Sequence, residues 1–270
     1  MTADQLASWL GAPMTFWSCL FAILVGTAAW ELLAEGPSMV SAEAGDRRMV
    51  TNVALGILWL GLSALVPTTV TSLAAIAKDQ GIGLFAVIGL SGWPAFLGSL
   101  LVLDAGQYGL HRLSHRWQWL WRLHRVHHSD TALDITTTFR HHPGELLVAL
   151  AWMSMLGLVF GLSASAVPVY ALVVLLLSVP QHADASLNDR TEAFVSRFIA
   201  TPGLHRVHHG ANVHDTDTNY GEVLIVWDWL FRTLRHHSPV QRQTMRVGLG
   251  PHHDVGADSL IKQLTGPLLR

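Results

Sequence analysis

Histidine carries the chemistry of this sequence. Residues 104–129 read DAGQYGLHRLSHRWQWLWRLHRVHHS and hold His111, His115, His124, His127 and His128. Residues 201–210 read TPGLHRVHHG and hold His205, His208 and His209. The pentapeptide His-Arg-Val-His-His therefore occurs twice, at 124–128 and 205–209. Residues three or four apart share one face of a helix, so His111 with His115, and His124 with His127 or His128, form chelating pairs. Asp104 and Tyr108 continue the His111 stripe at the helical period. Imidazole binds a divalent metal near neutral pH without adding charge. Clustered imidazoles also disfavour protonation of one another. One such pair is as easily a polar surface as a ligand set. An HxxxH and two HxxHH blocks are much harder to explain that way, and they read as two halves of one metal site.

The elements that must position these residues are apolar. Half of the 270 residues are hydrophobic and 13% are charged, about half the share of a soluble domain. The net charge of −2 suggests neither nucleic acid nor an acidic partner. Cys19 is the single cysteine, which excludes an intrachain disulfide, and neither CxxCH nor HExxH occurs. Residues 1–13 lack the basic start of a secretory signal.

Residues 14–30 are uncharged behind Pro13 and predict a first membrane helix reaching about Leu33. A polar loop at 35–48 follows. Residues 49–77 predict a second span, kinked at Pro67, and 81–103 a third, interrupted at Gly92–Pro94. Residues 146–181 carry no charge. As one helix they would run to ~54 Å, against a bilayer core of about 30 Å. A break at Gly161, Ser163, Ser165 and Pro168 makes this stretch a hairpin that returns to its starting side. The even number of crossings puts both histidine blocks on one face. Arg47 and Arg48 share that face with Arg112, Arg116, Arg122 and Arg125, against Lys78 alone, so the positive-inside rule makes it cytoplasmic. Residues 191–199 predict an amphipathic interfacial helix. Trp117, Trp119 and Trp121 are expected to anchor the interface.

The motifs HRLSH, HRVHHS, FRHHPGE, TPGLHRVHHG and DTNYGEVLIVWDWLFRT, in that order and spacing, resemble the fatty acid hydroxylase/sterol desaturase superfamily. The resemblance covers about 104–233, close to half the chain. It implies an all-α fold of multi-pass membrane helices, about four to five apolar segments including the hairpin. A cytoplasmic-face, histidine-rich helical cap completes it, the whole forming one membrane domain over 1–270. It implies a non-haem di-iron oxygenase that hydroxylates or desaturates a sterol, fatty acyl, ether lipid or carotenoid. Such an enzyme needs dioxygen and an external donor such as a ferredoxin, cytochrome or reductase. Zinc is an expected substitute for iron in purified protein. The implied ligands are His111, His115, His124, His127, His128, His205, His208 and His209, with His182 after the hairpin. Some relatives carry a further histidine where this chain has Ser186.

His142 is a candidate for a metal contact or a helix start. Asp104, Asp217 and Asn219 lie beside the motifs, where such groups accept the second ring N–H of a ligand histidine. Arg125 and Arg206 are expected to pair with carboxylates or phosphates. The pairs His236/His237 and His252/His253 are adjacent residues without an i+3 or i+4 partner and are expected to stay off the metal. Two rival readings are a zinc-dependent membrane hydrolase or isomerase and a metal transporter or sensor. Histidines gathered at one face argue against transport.

Overall fold

The computed structural model describes residues 13–34, 45–63, 65–250 and 256–269, with positions 2, 5, 8 and 10. His252, His253 and most of the 35–48 loop lie outside the described residues. The fold is all-helical, and two isolated bridges, Ile199–Leu224 and Gly210–Val247, are its β pairing among the described residues. In order the helices are α1 (Pro13–Leu33), α2 (Gly45–Ser63), α3 (Leu65–Asp79), α4 (Leu84–Val87), α5 (Gly92–Arg116) and α6 (Gln118–His128). A 3-10 turn (Ile135–Phe139) leads to the hairpin of α7 (Pro143–Phe160) and α8 (Ala166–Gln181). Short helices follow: α9 (Asp189–Val195), α10 (Pro202–His208), α11 (Val213–Thr216), α12 (Val226–Leu230), α13 (Pro239–Thr244) and α14 (Leu260–Thr265).

Among the described residues, three stretches are long and apolar enough to cross a membrane: Met14–Leu33, Thr68–Val87 and Pro143–Phe160. The shorter apolar α8 completes the hairpin. The break falls where the sequence places it, because Gly161 ends α7 in the left-handed region at φ 64°. The uncharged run 49–77 falls on α2 and α3. The run 81–103 is interrupted as expected, between α4 and α5, and Gly92 and Pro94 start α5, which then runs unbroken through His111 and His115, because proline fits a first turn and not an interior.

Helix α3 packs along α7, and α5 packs against both hairpin arms. Their shared core holds Val70, Ala74, Phe85, Leu103, Met153, Leu162, Val167 and Tyr170. At the end far from the histidines, Gly83 (φ 98°) meets Gly161 so closely that a Cβ on Gly83 would lie 2.2 Å from the Gly161 nitrogen. Ser99 Oγ accepts the Ser163 N–H at 2.8 Å and fixes the hairpin tip to α5. At the other end, Arg48 at the start of α2 pairs with Asp130, two residues past the first histidine block. The first basic pair therefore shares the histidine side, as the crossing parity requires.

Glu31 is a carboxylate near the end of α1 that the reading of an uncharged first span passes over. Its Oε1 accepts the backbone N–H groups of Ile135 at 2.8 Å and Asp184 at 2.9 Å. One oxygen thus ties α1 to the loop after α6 and to the chain just past His182. Glu31→Leu is expected to strand two N–H donors at about 1–3 kcal/mol each. Melting in detergent should fall by several degrees, while Glu31→Gln, which keeps an acceptor oxygen, should stay close to wild type.

Candidate metal centre

The nine histidines nominated as ligands converge in two adjoining groups. His111, His115, His124, His128 and His208 form one, and His127, His182, His205 and His209 the other. Within each group the candidate ligand atoms lie within 4.8 Å of one another. The groups touch where His128 stacks on His209, with centroids 4.5 Å apart. Helical phase explains the division. Each pentapeptide sends its i, i+4 pair to one group and its fourth residue to the other, so His124/His128 and His205/His209 face different groups while His127 and His208 cross over. Helix α5 completes the first group with His111 and His115, and the end of α8 completes the second with His182.

Backbone carbonyls set the rings. Nδ1 of His111 donates to Tyr220 O at 2.9 Å, His208 to Thr218 O at 2.7 Å, and His182 to Ser178 O at 2.8 Å. A carbonyl only accepts, so each Nδ1 carries the proton and each Nε2 lone pair turns inward. His124 Nδ1 meets Glu145 Oε1 at 2.7 Å, which has the same effect. His182 Nε2 then faces the Nε2 atoms of His205 at 2.9 Å and His127 at 3.1 Å. His209 with His205 (3.1 Å) and His128 with His124 (3.2 Å) are equally close. Nitrogens that share a metal at about 2.1 Å stand about 3 Å apart. Nε2 of His111 and of His208 is buried without a partner. The donor set therefore fits metal ions bound within each group.

Burial, reinforced by neighbouring imidazoles, pushes His127, His128, His205 and His209 well below the ordinary histidine range. His208 is pushed down to about 3, chiefly by burial. Lone pairs at these rings are thus free for a cation at neutral pH.

The remaining candidates fall elsewhere. His142 caps α7: its Nδ1 accepts the Gly144 N–H at 2.9 Å and its Nε2 donates to Leu264 O at 3.1 Å. Both ring nitrogens are occupied, so it touches neither group. Asp104 does not reach a histidine; it accepts from Tyr170 Oη at 3.1 Å and the Trp227 indole at 2.7 Å, because α5 places it two turns before His111. Asn219, at φ 54°, donates to Leu204 O and Arg235 O and shapes the loop rather than a ring. Asp217 does lie beside a ring, 3.4 Å from His115 Nδ1. Arg206 pairs with Asp184 at 3.6 Å, and Arg125 donates to Gly266 O. His236 and His237 stay outside both groups, with His237 beside Asp215. Trp117 and Trp119 are exposed, as interface anchors require, but Trp121 packs on His115 and His128.

Several supporting residues escape a search for ligands. Glu145, in the first turn of α7, bridges His124 and His141, and His141 stacks on His127 at 4.5 Å. Asp228 accepts the N–H groups of Tyr220 and Gly221 and so holds the carbonyl that sets His111. Asp130 accepts from Arg48, Asn52 and Thr137 beneath the first block. Arg140, fully buried, donates to Val126 O, Asn52, Ser129 and Ala257 O. Glu145 and Arg140 lie within the motif FRHHPGE and Asp228 within DTNYGEVLIVWDWLFRT, while Asp130 directly follows the stretch 104–129.

The profile of the family described as fatty acid hydroxylase matches residues 96–233 and so takes in both pentapeptides. An alkylglycerol monooxygenase of Danio rerio is 32% identical over 164 residues, 61% of this chain and 33% of the relative. The human alkylglycerol monooxygenase is 32% identical over 170 residues, 63% and 35% of the two chains. The ornithine lipid hydroxylase OlsE of Rhizobium tropici is 31% identical over 164 residues, 58% and 47%. The chain thus spans about a third to a half of the length of these relatives. No solved structure matches it. With half of its length and its whole histidine constellation inside the match, the chain belongs to the fatty acid hydroxylase family.

Proposed function

We propose that this protein is a membrane-bound, dioxygen-dependent lipid hydroxylase or desaturase with two irons, one in each histidine group. The observation that carries the reading is the pair of adjoining, buried histidine groups with Nε2 atoms turned inward. When bound, the irons would supply dioxygen activation for attack on an unactivated C–H bond. The chain's own residues do the rest. Tyr220 O, Thr218 O, Ser178 O and Glu145 hold the rings in one tautomer. Burial of nearly every ring excludes bulk water, which protects a reactive oxidant from side reactions. Residues 104–233 form the catalytic region, and the apolar faces of α1, α3 and α7 meet lipid.

The relatives' printed names support a hydroxylated lipid product, hence a lipid substrate for this chain. Dioxygen activation consumes electrons, which a ferredoxin, cytochrome or reductase would supply. The shared side of Arg48 and the histidines supports a cytoplasmic site.

Protein reconstituted with iron is expected to hold about two irons per chain by elemental analysis. With an added reductant and labelled dioxygen, a hydroxylated product should carry the label. One metal or none would remove the di-iron reading. Oxygen arriving from water, without need of reductant, would favour a zinc hydrolase.

A further inference from the structure

One carboxylate beside the histidine groups is used by nothing described so far. Glu222 follows the Tyr220–Gly221 turn that Asp228 holds. Its backbone carbonyl accepts from Gln181 Nε2 at 2.8 Å, one residue before His182. Its Oε1 accepts from Gln107 Nε2 at 2.7 Å and lies 4.0 Å from His111 Nδ1. Main chain and one oxygen are therefore fixed next to the first histidine group. No described residue is within hydrogen-bonding reach of Oε2, whereas both oxygens of Glu145 are taken.

The position is deep. His141, His124 and Glu145, from α6, α7 and the turn between them, all act on Glu222 electrostatically. Its side chain still keeps 21% of its surface free, enough to admit a ligand group. Apolar groups lie close by: Val223 follows it in the chain and packs against the core, and the Trp152 indole donates to the carbonyl of Gly106, next to Gln107, at 2.9 Å. A carboxyl group with one neutral donor in such surroundings is costly unless a ligand supplies the missing partner. Burial accordingly raises its pKa. The amide oxygen of Gln107 has no described partner either and adds a second acceptor at the same place.

We propose that Glu222, set by Gln107, is a specificity-determining residue that accepts a hydrogen bond from a hydroxyl or ammonium group on the lipid's polar head. That contact fixes which carbon of the lipid lies beside the histidine groups. The assignment rests on the lipid hydroxylase reading above. A site built to bond an O–H or N–H donor rejects the analogue lacking it, because its own buried acceptor is then left unpaired.

The test compares a hexadecyl glyceryl ether with the same ether methylated on both hydroxyls, in detergent micelles. Metal-loaded wild type, Glu222→Gln and Glu222→Leu are titrated with each, and equilibrium binding is read by tryptophan fluorescence. Wild type is expected to bind the free diol about tenfold tighter or more, a difference of about 1.4 kcal/mol. Glu222→Leu should bring the two affinities within about twofold, with Glu222→Gln between, since its amide oxygen still accepts. A Glu222→Leu protein that keeps the wild-type ratio overturns the proposal. Wild type that binds both ethers equally, or neither, overturns it too. Binding does not depend on turnover, so an intact ratio without labelled product would instead count against the oxygenase reading.

Discussion

His208→Ala is expected to lower bound metal from about two per chain to about one or less and to reduce turnover by more than about 100-fold. Loss of a residue that merely orients a ligand typically costs 10–100-fold, so loss of the ligand itself should exceed that. The choice of His208 exploits the crossing of the two pentapeptides. It sits on α10 with His205 and His209 but belongs with His111, His115, His124 and His128. The helix should survive the change. Thr201 caps α10 through the Leu204 N–H, Pro202 occupies its first turn, and the replacement is a good helix former. The measurements are elemental analysis after iron reconstitution, turnover, and far-UV circular dichroism to verify helix content. Alanine at both His236 and His237 is the control, and metal content should stay at the wild-type value. If the control strips metal and His208→Ala does not, the grouping is wrong.

Asp130→Ala should give the largest loss of stability. Asp130 is fully buried and pairs with Arg48 at 3.0 Å, with Asn52 Nδ2 and Thr137 Oγ1 each at 2.8 Å. Arg48 is itself buried, with its side chain 3% exposed, and among the described residues keeps only Asp134 as a carboxylate partner when Asp130 is removed. Breaking one side of a buried pair costs about 3–5 kcal/mol, because the surviving charge stays desolvated. At about 2–4 °C per kcal/mol for a chain of this size, melting in detergent should fall by roughly 10 °C. Asp130→Asn keeps one acceptor oxygen and should lose less. A melting temperature within a degree or two of wild type for Asp130→Ala would show that the Arg48 network does not brace the α6 end.

The local part of the site was legible because it follows from helical period alone. HxxxH and the repeated His-Arg-Val-His-His put their imidazoles on helix faces without any knowledge of packing. The uncharged length of 146–181 required a break, glycine marked where, and the even crossing brought both blocks to one side. Composition likewise marked the apolar spans, and the resemblance of the motifs implied that the chain is all-α. Where α5 begins was less legible. An uncharged run has no internal mark for its ends, and Gly92 with Pro94 can interrupt a helix or start one.

Tertiary structure decided which histidine joins which group. Two copies of one pentapeptide are indistinguishable as strings; helical phase separates the fourth histidine of each from its i, i+4 pair, and only the packing of the folded chain brings His127 and His208 to the opposite sets. It also decided the partners of the rings. Those of His111, His208 and His182 are main-chain carbonyls, which every residue carries, so no side-chain pattern announces them. Proximity in sequence misled at Asp104 and Asn219, since two helical turns or one loop reversal take a side chain out of reach of the neighbouring motif. Glu31, Asp130 and Glu222 reach partners as far as 153, 82 and 115 positions away, and that separation is what the folded chain alone closes.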